Sequence, residues 1–250
     1  MKKLLLQICL IILISSIYVS AQDKTQRAVS YNNQGVVEMK SENYETAIDF
    51  FNRAISLQPN YATALYNLGT AYIHLKRFDA AAGAFQKAVK LYPEYSAAFN
   101  QLGVVYLETA RSEKAVEVLK QAVRLKPDDA VAFYNLGCAF IRLKKFKESV
   151  ESLEKAKQLD ANNLEIRLNL GFAYGQQKRY REAIVEMRKA VEINETDEQA
   201  QMLLCNFYVA AKDNASAFAQ YDKVKRQNPQ LARKLYREIY KDKILAVSQK

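Results

Sequence analysis

ALYNLGTAY at residues 64–72, AFNQLGVVY at 98–106, AFYNLGCAF at 132–140 and IRLNLGFAY at 166–174 are variants of one phrase, each copy 34 residues after the last. Working outward, the glycine near the centre recurs as Gly35, Gly69, Gly103, Gly137 and Gly171, and Cys205 takes the next place in the series. A fixed period with no insertion marks a tandem repeat. Setting each unit to begin seven residues before that site gives six of them, at 28–61, 62–95, 96–129, 130–163, 164–197 and 198–231.

Each unit reads as two helices. In its first half, large apolar residues fall three and four apart, as in Leu65, Leu68 and Tyr72 or Phe99, Leu102 and Tyr106, which draws one stripe along a helix. In its second half, Ala81, Phe85 and Ala88 recur as Ala115, Leu119 and Ala122, then Ser149, Leu153 and Ala156, then Ala183, Met187 and Ala190, the facing stripe of a second helix. Small residues at the glycine and alanine sites let the helices approach, and the large residue between the alanines fills the remaining space. Tyr44, Phe78, Phe146 and Tyr180 follow the turn as anchors, and Pro59, Pro93, Pro127 and Pro229 close units, since proline cannot continue a helix.

The 34-residue period, the Leu-Gly pair, the aromatic residue three later, the alanines and the closing proline together resemble the tetratricopeptide repeat family, over residues 28–231. The resemblance implies an all-α fold, an α-solenoid of six helix-turn-helix repeats coiled into a right-handed superhelix. Gln34 and Glu38 depart from the pattern in the first repeat, and Gln201, Cys205 and Val224 in the last, as terminal repeats do. Residues 232–250 are expected to form a capping helix and basic tail, on an apolar stripe of Leu231, Leu235, Tyr236, Ile239 and Tyr240.

The ends carry an address and a charge. Lys2 and Lys3 precede an apolar run from Leu4 to Ile14, and Val19-Ser20-Ala21 suits signal peptidase, so residues 1–21 read as a signal peptide and 22–27 as a short N-terminal segment. The expected location is periplasmic or secreted. An uncleaved N-terminal membrane anchor is the alternative, and a lipoprotein signal is disfavoured because Cys9 lies inside the apolar run. Net charge is +10. Lys40, Lys76, Arg77, Lys144, Lys145, Lys178, Arg179 and Lys212 fall near first-helix ends or in the turns after them, where cations complement the helix dipole. Arg233, Lys234, Arg237, Lys241, Lys243 and Lys250 make the C-terminal segment the densest basic stretch, a possible contact for a membrane or an acidic partner. Cys138 and Cys205 lie two repeats apart and are expected to stay free thiols.

For this family, the side chains at repeat positions 2, 5, 9, 12 and 13 line a concave groove. The resemblance therefore implies a peptide-binding groove of Tyr66, Thr70, Ile73, His74, Asn100, Val104, Leu107, Tyr134, Ile141, Arg142, Leu168, Phe172 and Asn206. A carboxylate-gripping clamp needs basic residues at positions 2, 5 or 6, and no repeat has one. The groove's middle is instead apolar and aromatic, a surface that marks a binding site. Each buried anchor contributes roughly 1.5–3 kcal/mol, and ordering a flexible peptide offsets about 2–5 kcal/mol, so tight binding needs several repeats at once.

Catalysis finds little support. His74 is the only histidine, no phosphate-binding loop, Gly-x-Ser-x-Gly elbow or metal-ligand spacing accompanies it, and no cofactor is expected. Glu186 and Glu192 read as solvated carboxylates on second helices. The positive charge is not gathered into an aromatic-interleaved stripe, which argues against nucleic acid. The first functional expectation is a scaffold holding a partner peptide or helix in the concave groove during cell-envelope assembly. Two others are a structural subunit of an outer-membrane or pilus-type complex, acting through its convex face and basic C-terminal helix, and a regulatory or recruiting subunit of an enzyme encoded elsewhere.

Overall fold

The computed structural model describes residues 22–237. The signal-peptide expectation for 1–21, and Ile239, Tyr240 and the lysines beyond them, lie outside the described residues. Residues 22–40 form helix α1. It is followed by α2 (Tyr44–Leu57), α3 (Ala62–His74), α4 (Phe78–Leu91), α5 (Ser96–Glu108), α6 (Ser112–Leu125), α7 (Ala130–Arg142), α8 (Phe146–Leu159), α9 (Leu164–Gln176), α10 (Tyr180–Ile193), α11 (Glu198–Ala210), α12 (Asn214–Gln227) and α13 (Pro229–Leu235). There is no strand among the described residues. The chain divides between Leu125 and Lys126 into two compact units, the first holding α1–α6 and the second α7–α13.

Close approach explains the small residues. A methyl group built at Gly69 falls 2.7 Å from the Phe85 ring, and one at Gly35 falls 2.6 Å from Phe51, so only glycine lets the paired helices sit at this distance. The alanines of the second helices are equally buried: Ala81, Ala88, Ala115, Ala122, Ala183 and Ala190 have no exposed surface. Where Cys205 replaces the glycine, the partner changes too. Cys205 packs with Val224 and with Leu231, Ala232 and Leu235 of α13, which closes the end of the second unit. Tyr236 departs from the expected apolar stripe and is exposed, its ring 6.5 Å from Tyr221. Pro229 is the first residue of α13 rather than only a closing residue, a position where its missing N–H is no loss.

The turns inside the repeats share one conformation. Glu42, Lys76, Ala110, Lys144, Lys178 and Lys212 all adopt a left-handed backbone, φ 56–61°, one residue each per repeat. This lets the following N–H reach back to the first helix, as Arg77 N does to Tyr72 O at 2.8 Å. The geometry corrects part of the charge assignment. Lys76, Lys144, Lys178 and Lys212 do follow helix C-termini, but Arg77, Lys145 and Arg179 occupy the N-cap positions of α4, α8 and α10, where the helix dipole opposes a cation.

Within the second unit α7 packs on α9 and α9 on α11, while α8, α10 and α12 touch one another far less. In the first unit α3 packs on α5 in the same way. In each unit, therefore, the row bends with its first helices on the inner side.

Candidate functional site

On α3 of the first unit, Tyr66 is half-buried, stacked on Tyr95 at 5.2 Å and edge-on to Phe85 at 5.6 Å. Burial and the neighbouring Tyr66 hold the Tyr95 phenol above its ordinary pKa. Tyr92 extends the cluster, its ring 6.0 Å from Tyr95 and 52% exposed. Thr70 satisfies its hydroxyl locally by donating to Tyr66 O at 3.1 Å. Ile73, Asn100 and Val104 are half-buried. His74 is exposed, and its ring lies flat on Tyr44 at 4.5 Å, so it is a stacking partner at the turn.

In the second unit Tyr134, Ile141, Phe172 and Asn206 are all half-buried and Arg142 is exposed. Tyr134 and Ile141 pack against the unit's core. The Tyr134 hydroxyl accepts from Asn169 Nδ2 at 3.3 Å, and burial, followed by its neighbour Cys138, pushes the phenol well above its ordinary pKa. Burial likewise pushes the Cys138 thiol up to about 11, although Tyr134 and Arg142 oppose it, so the thiol is protonated near neutrality. Neither Cys138 nor Cys205 forms a disulfide. Phe172 meets Phe146 edge-on at 6.3 Å.

Leu107 and Leu168, placed in the groove by their repeat positions, are 6% and 2% exposed and belong to the core. They lie on faces already covered by neighbouring helices. Asparagines at repeat position 6, outside the groove set, turn out to link adjacent repeats: Asn67 donates to buried Asn32 at 2.9 Å, as Asn169 does to Tyr134. Their signal was the 34-residue recurrence of Asn33, Asn67, Asn135 and Asn169.

Glu186 also needs correction, because it is 5% exposed rather than solvated. Its carboxylate accepts from Lys157 Nζ at 2.8 Å and from Arg167 Nη1 at 2.7 Å, which ties α8, α9 and α10 together. Burial opposes the Lys157 charge, and hydrogen bonds to Glu154 and Glu186 overcome it, leaving the ammonium above its ordinary pKa. Tyr174 completes the network by donating to Glu154 at 2.6 Å. Glu192 is exposed and pairs with Lys189 at 2.5 Å. Among the described residues no group of three or more His, Cys, Asp and Glu is placed to hold a metal ion, and no helix is long and apolar enough to cross a membrane.

Residues 17–204 match the family model described as the cilia and flagella-associated protein 70 C-terminal domain, and residues 175–239 match the tetratricopeptide repeat model. No curated protein sequence matches the chain. Among solved structures the chain is similar to PilF of Pseudomonas aeruginosa, with a TM-score of 0.70 at 20% identity over 86% of this chain and 99% of that one. It is similar to YrrB, a TPR protein with an unusual peptide-binding site, with a TM-score of 0.64 at 22% identity over 73% and 94%. MamA of Desulfovibrio magneticus RS-1 gives a TM-score of 0.64 at 26% identity over 68% and 97%.

Proposed function

The chain belongs to the tetratricopeptide repeat family, and on that premise we propose that it is a protein-interaction scaffold which holds a partner peptide or helix against the inner face of its first helices. One observation carries this. In each unit the first helices pack side by side on the inside of the bend, and their aromatic and aliphatic residues there, Tyr66, Ile73 and Val104 in one and Tyr134, Ile141 and Phe172 in the other, keep part of their surface open. Partly open apolar surface on a pre-formed face gains from being covered. YrrB, similar in fold, is described by its peptide-binding site, which supports the same use here. The reading assigns no catalysis, and the apolar run after Lys2 and Lys3 supports a place in the cell envelope or outside it.

Affinity capture from envelope extracts tests this, comparing the protein with its Tyr134→Asp, Phe172→Asp variant by mass spectrometry. The partners should disappear from the variant while its helical circular dichroism is retained. Identical partner lists would refute the inner face as the recognition surface.

A second reading places function on the C-terminal helix, favoured by Arg233, Lys234 and Arg237, which are exposed and have no ion-pair partner among the described residues. Under it, Lys234→Gln with Arg237→Gln abolishes assembly, and the inner-face variant does not.

A further inference from the structure

The turn within each repeat and the first residues of the following helix lie along one edge of each unit, and the two edges differ in charge. Counting from the left-handed residue through the third residue of the second helix, the repeats of the first unit carry four cations and four carboxylates. The same positions in the second unit carry seven cations and three carboxylates.

Pairing differs as well. In the first unit the N-cap arginine of one repeat is held by the acid in the first turn of the repeat before it: Arg77 binds Glu45 with contacts of 2.6 and 3.0 Å, and Arg111 binds Asp79. In the second unit Lys147 stands where Glu45 and Asp79 stand, so Arg179 has lost that partner and turns to Glu182 of its own helix at 2.9 Å. Lys144, Lys145, Lys147, Lys178, Arg181 and Lys212 are exposed and have no ion pair among the described residues.

Helix physics does not call for this arrangement. Lys147 and Arg181 are second residues of α8 and α10, where the dipole favours the acids that α2, α4 and α6 carry. Between two turns of this edge, a recess of 400 Å³ is walled by four cations, Lys178, Arg179, Arg181 and Lys212, by the single carboxylate of Glu182, which Arg179 already pairs, and by Tyr180, Ala210 and Ala211.

We propose that the turn edge of the second unit docks an extended acidic segment of a partner protein, its carboxylates entering between successive turns. Packed helices lie about 8–10 Å apart, and extended chain advances about 3.3–3.6 Å per residue, so successive turns meet about every third residue of such a segment. A recess suits side chains better than the plane of a bilayer, and Glu182 and Asp213 on the same edge interrupt the uniform field that an anionic membrane prefers.

The test titrates the purified protein into three probes: a fluorescent peptide of repeated Glu-Gly-Ser triplets, the same peptide with Gln for Glu, and phosphatidylglycerol vesicles. The Glu peptide should bind, and added salt should weaken it because these charges are exposed. The Gln peptide should not bind. Lys147→Glu with Arg181→Glu should weaken binding about tenfold, equivalent to about 1.4 kcal/mol. Because that variant restores the acid position of the first unit, its thermal unfolding should be no worse than that of the parent. Lys76→Glu with Lys87→Glu makes the same charge change in the first unit and should leave binding within about twofold. Equal binding of both peptides, equal loss in both variants, no peptide binding, or binding to vesicles alone would each overturn the proposal.

Discussion

In the first unit α3 and α5 are entered through Tyr61 and Tyr95, which offer no side-chain cap, whereas in the second unit Asp129, Asn163 and Asp197 accept from the opening N–H groups of α7, α9 and α11. The contrast continues inward. Around Tyr95 the first unit gathers the rings of Tyr66 and Tyr92, while the second ties α8, α9 and α10 with buried Glu186, Lys157 and Arg167. One repeat pattern thus fixes the helix pairs through its small residues and leaves capping and inter-repeat ties to two kinds of chemistry. The hydrophobic gain from burying rings is non-directional, but a buried ion pair fails when one member is removed.

The largest expected effect follows from that difference. Glu186→Ala leaves Lys157 and Arg167 without their shared carboxylate and should cost about 3–5 kcal/mol of stability. Urea denaturation measures the loss, and hydrogen exchange should place it in α8–α10, with amides of α2–α5 unchanged. A loss spread evenly over both units would show that the network is not a local tie.

Caps come next. Asn163→Ala and Asp197→Ala should each cost about 1 kcal/mol by removing an acceptor from the opening turn. The same chemistry should be transferable to the first unit: Tyr61→Asp should be more stable than Tyr61→Ala by about 0.5–2 kcal/mol, although both lose the ring. Equal stability of those two variants would mean that the entry to α3 cannot accept a cap, and that the units differ in backbone as well as in side chains.

The helix pairs were legible in the sequence because close packing demands small residues at fixed intervals, and Gly35, Gly69, Gly103, Gly137 and Gly171 kept the interval without a break. The same interval puts Tyr66, Tyr134 and Phe172 on first helices, where each is half-buried. Leu107 and Leu168 could not be separated from them, because repeat position fixes a helix face but not how far a neighbouring helix covers it. Glu186 was opaque for another reason. A glutamate at a position that looks outward is solvated unless cations on two other helices reach it, and Lys157 and Arg167 lie 29 and 19 residues away.

A smaller effect tests the charged edge. Lys147→Glu rebuilds in the second unit the relation that Glu45 has to Arg77 in the first. A double-mutant cycle with Arg179→Ala should give a favourable coupling of about 0.2–1 kcal/mol, as for exposed pairs in general. Zero coupling would mean that Arg179 prefers Glu182 and the ring of Tyr174, which lies 4.4 Å away.

The smallest effects should appear with pH. Glu182 is held below the ordinary carboxylate range by its own backbone N–H and then by Arg179, and Asp213 by the hydroxyl and N–H of Ser216. As pH falls, the unfolded chain binds these protons before the folded one. Their contribution is therefore complete above the ordinary carboxylate pKa and is lost as pH drops through the lower folded values. Cys138 acts in the opposite direction. Its thiol rises from 9.0 to about 11 in the folded chain, so its contribution is complete below the ordinary value and disappears as pH climbs through the folded one. Urea midpoints followed by a probe in α9 should accordingly decline at both extremes. Asp213→Asn should flatten the acid side and Cys138→Ala the alkaline side, each leaving the other side intact. If Cys138→Ala leaves the alkaline decline unchanged, lysine or tyrosine titration is its cause, and the thiol beside Tyr134 is energetically silent.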